Sequence, residues 1–169
     1  MTSFAYRPAN STRGFTLVEI LIVVAIIGIL ASVALVGLGP VQKRGRDARR
    51  ISDLREAQSA IELYYSKCGY YPGTAQASSP CGSFSPITTW AQLITTLTGS
   101  SLGVSRIPND PSSGKFYYYG STDGSTYVVG ANLEDKNNPV LNDDIDGTVE
   151  GVDCGTGSSG TDTVYCLQL

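Results

Sequence analysis

The sequence contains no histidine among its 169 residues. Histidine is the side chain that changes charge near neutral pH, and it is the commonest transition-metal ligand, so the usual general base and the usual zinc ligand are both missing. The chain also lacks a Walker phosphate-binding loop and a recognisable pair of catalytic acids. These absences argue against an enzyme.

Cysteine is scarce, and its four copies form two close pairs, Cys68 with Cys81 and Cys154 with Cys166. Neither pair has the CxxC spacing of a zinc or redox site, although three disulfide connectivities are formally possible. Behind a membrane-targeting segment, these cysteines indicate disulfides formed in an oxidising compartment. Pairing within each close pair would close loops of about 14 and 13 residues, each worth about 3 kcal/mol in the chain-entropy account.

Charge is unevenly distributed behind a formal net charge of −3. Residues 43–56 hold six basic side chains against three acids, whereas residues 133–153 hold seven acids against one lysine. Blocks of this kind bear on partners rather than on the fold. The default interpretation of the basic block is a solvated helix face, and its short length without interleaved aromatics argues against a nucleic acid partner.

The first 67 residues are organised around a long apolar run. Residues 1–14 form a polar leader, and residues 15–38 are apolar except for one glutamate and a few small polar side chains. At about 1.5 Å per residue the run spans about 36 Å, enough to cross a membrane, so we expect a retained transmembrane helix; signal-peptide cleavage after "ASVALVG" is the alternative. Residues 39–67 show helical spacing of apolar side chains, so they should continue the transmembrane helix as an amphipathic stalk helix. Pro40 should weaken this helix locally.

Residues 68–169 have the pattern of a small extracellular domain. The stretch "TTWAQLITTL" predicts a helix capped by Thr88 or Thr89, with Trp90 in the core. The stretch "KFYYYGSTDGSTYVVGA" predicts a hairpin whose tyrosines line both faces of a sheet, and "TVYCLQL" adds a strand. The predicted fold class is therefore α+β, with a long N-terminal transmembrane and stalk helix packed on a small antiparallel β-sheet head.

The stretch "RGFTLVEILIVVAIIGILASVAL" resembles the N-terminal signature of type IV pilins and type II secretion pseudopilins. The basic leader, Gly14, Phe15, the Thr-Leu pair, Glu19 and the apolar helix agree with it in kind and order. The resemblance implies cleavage by a prepilin peptidase between Gly14 and Phe15 on the cytoplasmic side, and N-methylation of Phe15. It also implies an inner-membrane assembly platform and a helical filament of many copies with the apolar helices bundled inside.

Glu19 requires an explanation because an ionised carboxylate in hydrocarbon costs several kcal/mol unless it is paired. After cleavage, the amino group of Phe15 would be a cation in the same bundle, and Glu19 of a neighbouring copy could meet it. Two buried charges that each need a partner make incorrect axial registers costly. The alternative is a Glu19 side chain that reaches the lipid headgroups from near the helix end.

Two further stretches, "RIPNDPSSGKFYYYG" and "NDDI", resemble more weakly the major pseudopilin of type II secretion, whose acidic loop binds calcium. This chain departs from that family because it has Val36 in place of the family's proline, four cysteines and a longer C-terminal tail, so a pilus subunit and a secretion pseudopilin stay open.

The stretch "NDDIDGTVEGVD" also has the spacing of an EF-hand loop, although no helix pattern flanks it, and a merely solvated acidic loop is the alternative. The candidate calcium ligands are Asn142, Asp144, Asp146, Glu150 and Asp153, with Asp135 and Asp143 as alternatives.

The direction of insertion has conflicting indications. Two basic residues precede the apolar run and five lie between Lys43 and Arg50, so the positive-inside rule alone would place the head inside the cell. The resemblance and the cysteines favour a single pass with the N-terminus inside, followed by an extracellular or periplasmic filament. In that orientation the basic block could contact outer-leaflet phosphates before assembly or acidic surfaces of adjacent subunits afterwards. The alternative from another class is a monomeric, signal-anchored extracellular module that binds calcium or a glycan.

Overall fold

A computed structural model of the chain describes residues 14–73, 81, 85–99, 101–156 and 162–169, and for residues 33–38 it describes the backbone alone. It divides into two compact units, Met1–Pro40 and Val41–Leu169. The second unit is called the head below. The predicted leader, except for Gly14, lies outside the described residues.

The first helix, α1, spans Leu17–Cys68. Pro40 lies inside it and does not interrupt the helical backbone, although the boundary between the two units follows this residue. The helix ends at Gly69, whose φ of +76° is the left-handed conformation typical of a glycine after a helix. The Gly69 N–H donates to the Tyr65 carbonyl oxygen over 2.7 Å. The helix thus ends one residue beyond the predicted end of the stalk at residue 67.

Within the head, α1 buries one face and exposes the other. Its buried apolar side chains recur at spacings of three and four and include Leu54, Ala57, Ile61 and Tyr64. This confirms the predicted amphipathic helix over this part of the chain, because the spacing places these side chains on one stripe.

The second helix, α2, spans Trp90–Gly99 and packs into the same core. Thr89 caps it: the Thr89 hydroxyl oxygen accepts from the Gln92 N–H over 3.3 Å, and the Gln92 side-chain oxygen accepts from the Thr88 N–H over 3.3 Å. Trp90 is buried, and its Nε1 donates to the Pro108 carbonyl oxygen over 3.0 Å. The predicted helix, its cap and the core position of the tryptophan are confirmed.

Among the described residues, five strands follow in chain order: β1 (Tyr118–Gly120), β2 (Val128–Asn132), β3 (Thr148–Val149), β4 (Val152–Asp153) and β5 (Val164–Gln168). A 3₁₀ helix, Pro139–Asn142, precedes β3. β1, β2 and β5 form an antiparallel sheet in the order β1-β2-β5, and β3 pairs with β4 in a short hairpin. The predicted hairpin and the predicted C-terminal strand are confirmed, and so is the α+β class.

The three-stranded sheet has a different cluster on each face. On the α1 face, Tyr119, Val129 and Tyr165 join the core formed with α1 and α2. On the other face, Val128 packs with Val152 of β4 and with the Cys154–Cys166 disulfide. Hairpin tyrosines line both faces as predicted, because Tyr119 belongs to the first cluster and Tyr118 is packed against the second.

The hairpin of β1 and β2 runs alongside α1 with a defined direction. Near its tip, the Gly124 carbonyl oxygen accepts from the Tyr71 N–H, beyond the C-terminal end of α1. At its open end, the Tyr117 hydroxyl donates to Asp53 and the Glu134 N–H donates to Asp47. The two segments that flank the hairpin, residues 110–117 and 133–137, therefore lie beside the first turns of α1 within the head.

Candidate functional site

The N-terminal end of α1 carries the predicted processing and assembly residues. Glu19 and Thr16 bond reciprocally: the Glu19 N–H donates to the Thr16 hydroxyl oxygen over 3.2 Å, and the Thr16 N–H donates to Glu19 Oε2 over 3.1 Å. The Thr16 hydroxyl also donates to Glu19 Oε2 over 3.0 Å. This is a capping box, in which Thr16 is the N-cap and Glu19 the third helical residue. The box is not among the features predicted above, although its Thr-x-x-Glu signal is readable in the sequence.

Apolar side chains cover this part of α1 and face solvent in the single chain. Phe15 is 81% exposed, and Leu17, Leu21, Ile26 and Leu30 are each at least half exposed. A contiguous apolar surface of this size marks an interaction surface in a folded protein. Within the part of the chain that the structure describes, no helix is sufficiently long and apolar to traverse a membrane.

A second site, not predicted, lies where α1 enters the head. Arg50 is buried, and only 1% of its side chain is exposed. Its guanidinium donates to Asp110 through Nε (2.7 Å) and Nη2 (3.0 Å), and through Nη1 to Asp47 (2.8 Å) and Glu134 (3.0 Å). Nη2 also donates to the Ser112 hydroxyl over 2.8 Å. One guanidinium thus joins α1 to the segments on both sides of the hairpin.

Asp47, on α1, also binds the segment that follows the hairpin. Its two carboxylate oxygens accept the backbone N–H groups of Glu134 and Asp135 over 2.8 and 2.9 Å, in addition to the bond from Arg50. Arg46 binds Glu134 through two of its nitrogens, with Nε donating over 2.7 Å. Bidentate arginine–carboxylate pairs of this kind fix geometry as well as adding energy.

An outer pair extends the same cluster to the surface. Arg44 Nε lies 3.3 Å from Asp135 Oδ2, and the Arg44 side chain is largely exposed. We call the whole cluster the ion-pair network; its members are Arg44, Arg46, Asp47, Arg50, Asp110, Glu134 and Asp135. The solvated helix face that the sequence suggested for the basic block is therefore wrong for Arg46 and Arg50.

The network shifts the pKa values of Glu134, Asp110 and Arg50 in the direction that strengthens it. Hydrogen bonds from Arg46, with a smaller contribution from Arg50, lower the pKa of Glu134 to about 2. Burial by itself would raise the pKa of Asp110, but hydrogen bonds from Arg50 and from Ser112 outweigh it, so the pKa of Asp110 is lowered. The hydrogen bond to Asp110 raises the pKa of Arg50 further above its already high value. All these charges persist at neutral pH.

The disulfides pair as the sequence suggested. Cys68 at the end of α1 is bonded to Cys81, and Cys154, just after β4, is bonded to Cys166 in β5. Cys154 and Cys166 are fully buried beneath the sheet, whereas Cys68 is only partly buried. Among the described residues no free cysteine is present.

The predicted calcium ligands do not converge in the described part of the chain. Glu150 bonds instead to Thr122 and Thr126 near the tip of the hairpin, with its Oε2 accepting the Thr122 N–H over 2.7 Å. Asp144 Oδ2 accepts the Cys166 N–H over 2.9 Å, and Asp153 Oδ1 accepts the Gly155 N–H over 3.1 Å.

Asn142 and Asp146 are exposed, as is the alternative ligand Asp143, while the other alternative, Asp135, belongs to the ion-pair network. Among the described residues, no three carboxylates or cysteines lie close enough to hold a metal ion, so calcium binding stays a prediction.

The described residues thus combine an exposed apolar helix, a capped glutamate in its first turn and a small disulfide-bonded α+β head, and comparison with known proteins finds chains similar to this one. The family model "Prokaryotic N-terminal methylation motif" matches residues 9–35. The type II secretion system core protein G of Escherichia coli (strain K12) is 34% identical over 70 residues, which are 41% of this chain and 48% of that protein.

Two pilins are similar to a comparable extent. The fimbrial protein of Neisseria meningitidis serogroup B is 41% identical over 61 residues, 36% of each chain, and the type IV major pilin protein PilE of Neisseria gonorrhoeae is 37% identical over 78 residues, 43% of this chain and 47% of that protein. The chain thus spans less than half the length of these curated relatives. No solved structure matches it significantly. Over about two fifths of its length the chain is therefore similar both to type IV pilins and to a type II secretion core protein, and residues 9–35 carry the prokaryotic N-terminal methylation motif.

Proposed function

We propose that this protein is a structural subunit of a type IV pilus-like or type II secretion pseudopilus filament. A prepilin peptidase cleaves it between Gly14 and Phe15, and Phe15 is then N-methylated. The observation that carries the proposal is the methylation motif at residues 9–35 on a helix whose apolar side chains are exposed in the single chain. Copies of the same helix are the partners that would cover them. The proposed role is mechanical rather than catalytic.

Glu19 is the residue that we propose sets the register of the subunits. Its carboxylate is held at the start of α1 by Thr16, where the helix dipole favours a negative charge. In the cleaved protein the Phe15 amino group of a neighbouring subunit would approach it. At about 4 Å and an effective dielectric near 20, the attraction would be about 4 kcal/mol. The cap holds the carboxylate in place, so little side-chain freedom is lost when the pair forms.

Before assembly, we propose that the apolar segment of residues 15–38 anchors the chain in the cytoplasmic membrane, with the head outside. Two disulfides in the head support an oxidising location. An inner-membrane platform would then deliver the subunit to a growing extracellular or periplasmic filament. The relatives include both pilins and a secretion pseudopilin, so both machines stay within the proposal.

The decisive experiment is the intact mass and N-terminal sequence of the protein in a filament fraction sheared from the cell surface. We expect an abundant chain that begins at N-methyl-Phe15. A chain that retains residues 1–14, or one cut after the apolar run and found only in membranes or medium, would reject the proposal. That outcome would favour the monomeric, signal-anchored module that binds calcium or a glycan.

A further inference from the structure

The end of the head at which α1 enters is assembled from three pieces of chain. Arg50 joins α1 to Asp110 and Ser112 ahead of the hairpin, and Asp47 binds the backbone of Glu134 after it. The hairpin tip lies at the opposite end, where Gly124 meets Tyr71. We call the surface formed by residues 41–50, 110–116 and 133–137 the entry end.

Every carboxylate of the entry end forms an ion pair with an arginine. Asp47 and Asp110 bind Arg50, Glu134 binds both Arg46 and Arg50, and Asp135 binds Arg44. The network contains four carboxylates and three arginines, so it carries one net negative charge. This single net charge offsets only one of any further cations nearby.

Three lysines lie on the same end and are exposed: Lys43, Lys115 and Lys136. Each is tied to the network by position. Lys43 precedes Arg44, Lys136 follows Asp135, and the Lys115 backbone N–H donates over 3.2 Å to the carbonyl oxygen of Ser112. None of the three makes an ion pair with any described residue. The entry end is therefore net positive, and its free charges are flexible ammonium groups.

An exposed aromatic ring accompanies the lysines. Phe116, next to Lys115, is 71% exposed, whereas its neighbour Tyr117 is buried with its hydroxyl bonded to Asp53. Burial of Tyr117 fixes the local backbone, so Phe116 is held at the surface of the head. Lysines together with an exposed apolar side chain such as Phe are typical of segments that lie at the boundary between bilayer and water.

We infer that the entry end binds the anionic phospholipid headgroups of the membrane that anchors the precursor. The ammonium groups of Lys43, Lys115 and Lys136 pair with lipid phosphates, and Phe116 inserts among the headgroups. This inference rests on the proposed function, because it needs the apolar segment to lie in a bilayer. It gives the unassembled subunit a docked state that must be released when the subunit joins a filament.

A lipid surface fits these groups better than a soluble anion or another protein chain. Only residues 39 and 40 separate the apolar segment of residues 15–38 from Val41, where the head starts, so a bilayer that holds this segment brings its headgroups to residues 41–43 by chain connectivity alone. Separate lysines on three segments suit a field of mobile phosphates rather than one small anion. Each lysine near an anionic surface contributes about a fivefold change in binding at moderate ionic strength.

The test uses the full chain with Phe116→Trp as a probe, reconstituted in phosphatidylcholine vesicles with or without phosphatidylglycerol and with brominated acyl chains as quenchers. The only native tryptophan, Trp90, is 3% exposed and provides a constant background. We expect the emission of the introduced tryptophan to shift to the blue and to be quenched in anionic vesicles only, and both changes to disappear at high salt.

Charge variants identify the responsible groups. In the same probe background, Lys115→Gln should weaken the anionic-lipid effect about fivefold, and replacement of all three lysines by glutamine should abolish it. Lys67→Gln is the matched control, since it removes one positive charge at the C-terminal end of α1, far along the helix from Lys43. It should leave the effect unchanged.

Flotation of the chain with neutral vesicles distinguishes failure of the membrane anchor from failure of this inference alone. A chain that does not float rejects the membrane anchor of the proposed function and this inference with it. A chain that floats but shows the same probe emission in both lipids, or an effect that survives loss of the three lysines, overturns this inference alone. If the lysine variants instead lose only contacts between copies, the entry end binds a second subunit and the lipid assignment is wrong.

Discussion

Arg50 and Asp110 are separated by 60 residues in sequence, yet the Arg50 guanidinium binds the Asp110 carboxylate with two hydrogen bonds of 2.7 and 3.0 Å in a site from which solvent is excluded. A buried pair of this kind is costly to desolvate, and it becomes far more costly when one partner is removed. Because Arg50 also binds Glu134, it fixes the position of both segments that flank the hairpin.

The first prediction is that Arg50→Met destabilises the head by about 3–5 kcal/mol, because Asp47 and Asp110 would be left as buried, unpaired carboxylates. The measurement is denaturant unfolding of the full chain in detergent. The matched control is Arg49→Met on the same helix. The Arg49 side chain is 58% exposed, and its Nε lies 3.7 Å from Asp53 Oδ2. Its loss should cost less than about 1 kcal/mol. Equal costs for the two variants would show that the network contributes no special stability.

The second prediction concerns acid. The folded-state pKa of Glu134 is about 2, below its ordinary value of 4.5, and the pKa of Asp110 is also lowered. The unfolded chain therefore binds more protons in this range, and stability should fall as the pH drops from about 4.5 towards 2. Unfolding free energies measured across this window should show a shallower slope in Glu134→Gln than in the parent. Glu56→Gln, which removes an exposed carboxylate of α1 outside the network, should keep the parent's slope.

Local patterns in the sequence were sufficient to predict most of the secondary structure. The spacing of Leu54, Ala57, Ile61 and Tyr64 predicted a helix with one buried stripe, and the polar turn between two aromatic runs predicted the hairpin of β1 and β2. These features depend on neighbours within a few residues. They could be predicted because hydrophobic periodicity and turn chemistry are local properties.

The ion-pair network could not be predicted in the same way. Its pairs link residues 44–50 to residues 110–135, and which arginine meets which carboxylate depends on how the hairpin is placed along α1. The opposite charges of the two blocks were visible in the sequence, but their mutual pairing was not inferred. By contrast, the capping box of Thr16 and Glu19 is local and was simply overlooked.

The third prediction compares the two disulfides. Removing Cys154–Cys166 as a double alanine variant should cost more than removing Cys68–Cys81 in the same way. Both lose the loop-closure contribution of about 3 kcal/mol, but only the first bridge is fully buried between the sheet and β4. Its loss also leaves a cavity beside Val128 and Val152. Thermal unfolding under non-reducing conditions measures both costs, and a larger loss for the Cys68–Cys81 variant would contradict this account.

The fourth prediction tests calcium. If the acidic loop binds the ion, Glu150 must exchange its bonds to Thr122 and Thr126 for the metal. Millimolar calcium should then raise the melting temperature of the chain, and a chelator should reverse the rise, because a ligand that binds only the folded state stabilises it. Asp146→Asn should abolish the response, whereas Asp123→Asn, an exposed acid of the hairpin tip, should not. Identical melting curves in calcium and chelator would reject the site.

The fifth prediction separates the two tasks of Glu19. As a helix cap, Glu19 depends on Thr16, so Thr16→Val should remove the hydroxyl bonds and cost the helix end about 1 kcal/mol while keeping the charge. As the proposed partner of a neighbouring Phe15 amino group, Glu19 would act through its charge, so Glu19→Gln should keep a side chain that accepts hydrogen bonds yet prevent the ion pair.

We therefore expect Thr16→Val to lower the yield of sheared filaments only modestly and Glu19→Gln to reduce it at least tenfold, with membrane insertion and Gly14–Phe15 cleavage intact in both. A tenfold loss corresponds to about 1.4 kcal/mol, well within the attraction of about 4 kcal/mol argued for the pair. Filament yield is measured against total processed subunit in the same cells, so that differences in expression cancel. Equal losses in the two variants would mean that Glu19 serves the cap alone, and normal yield from Glu19→Gln would remove the register role.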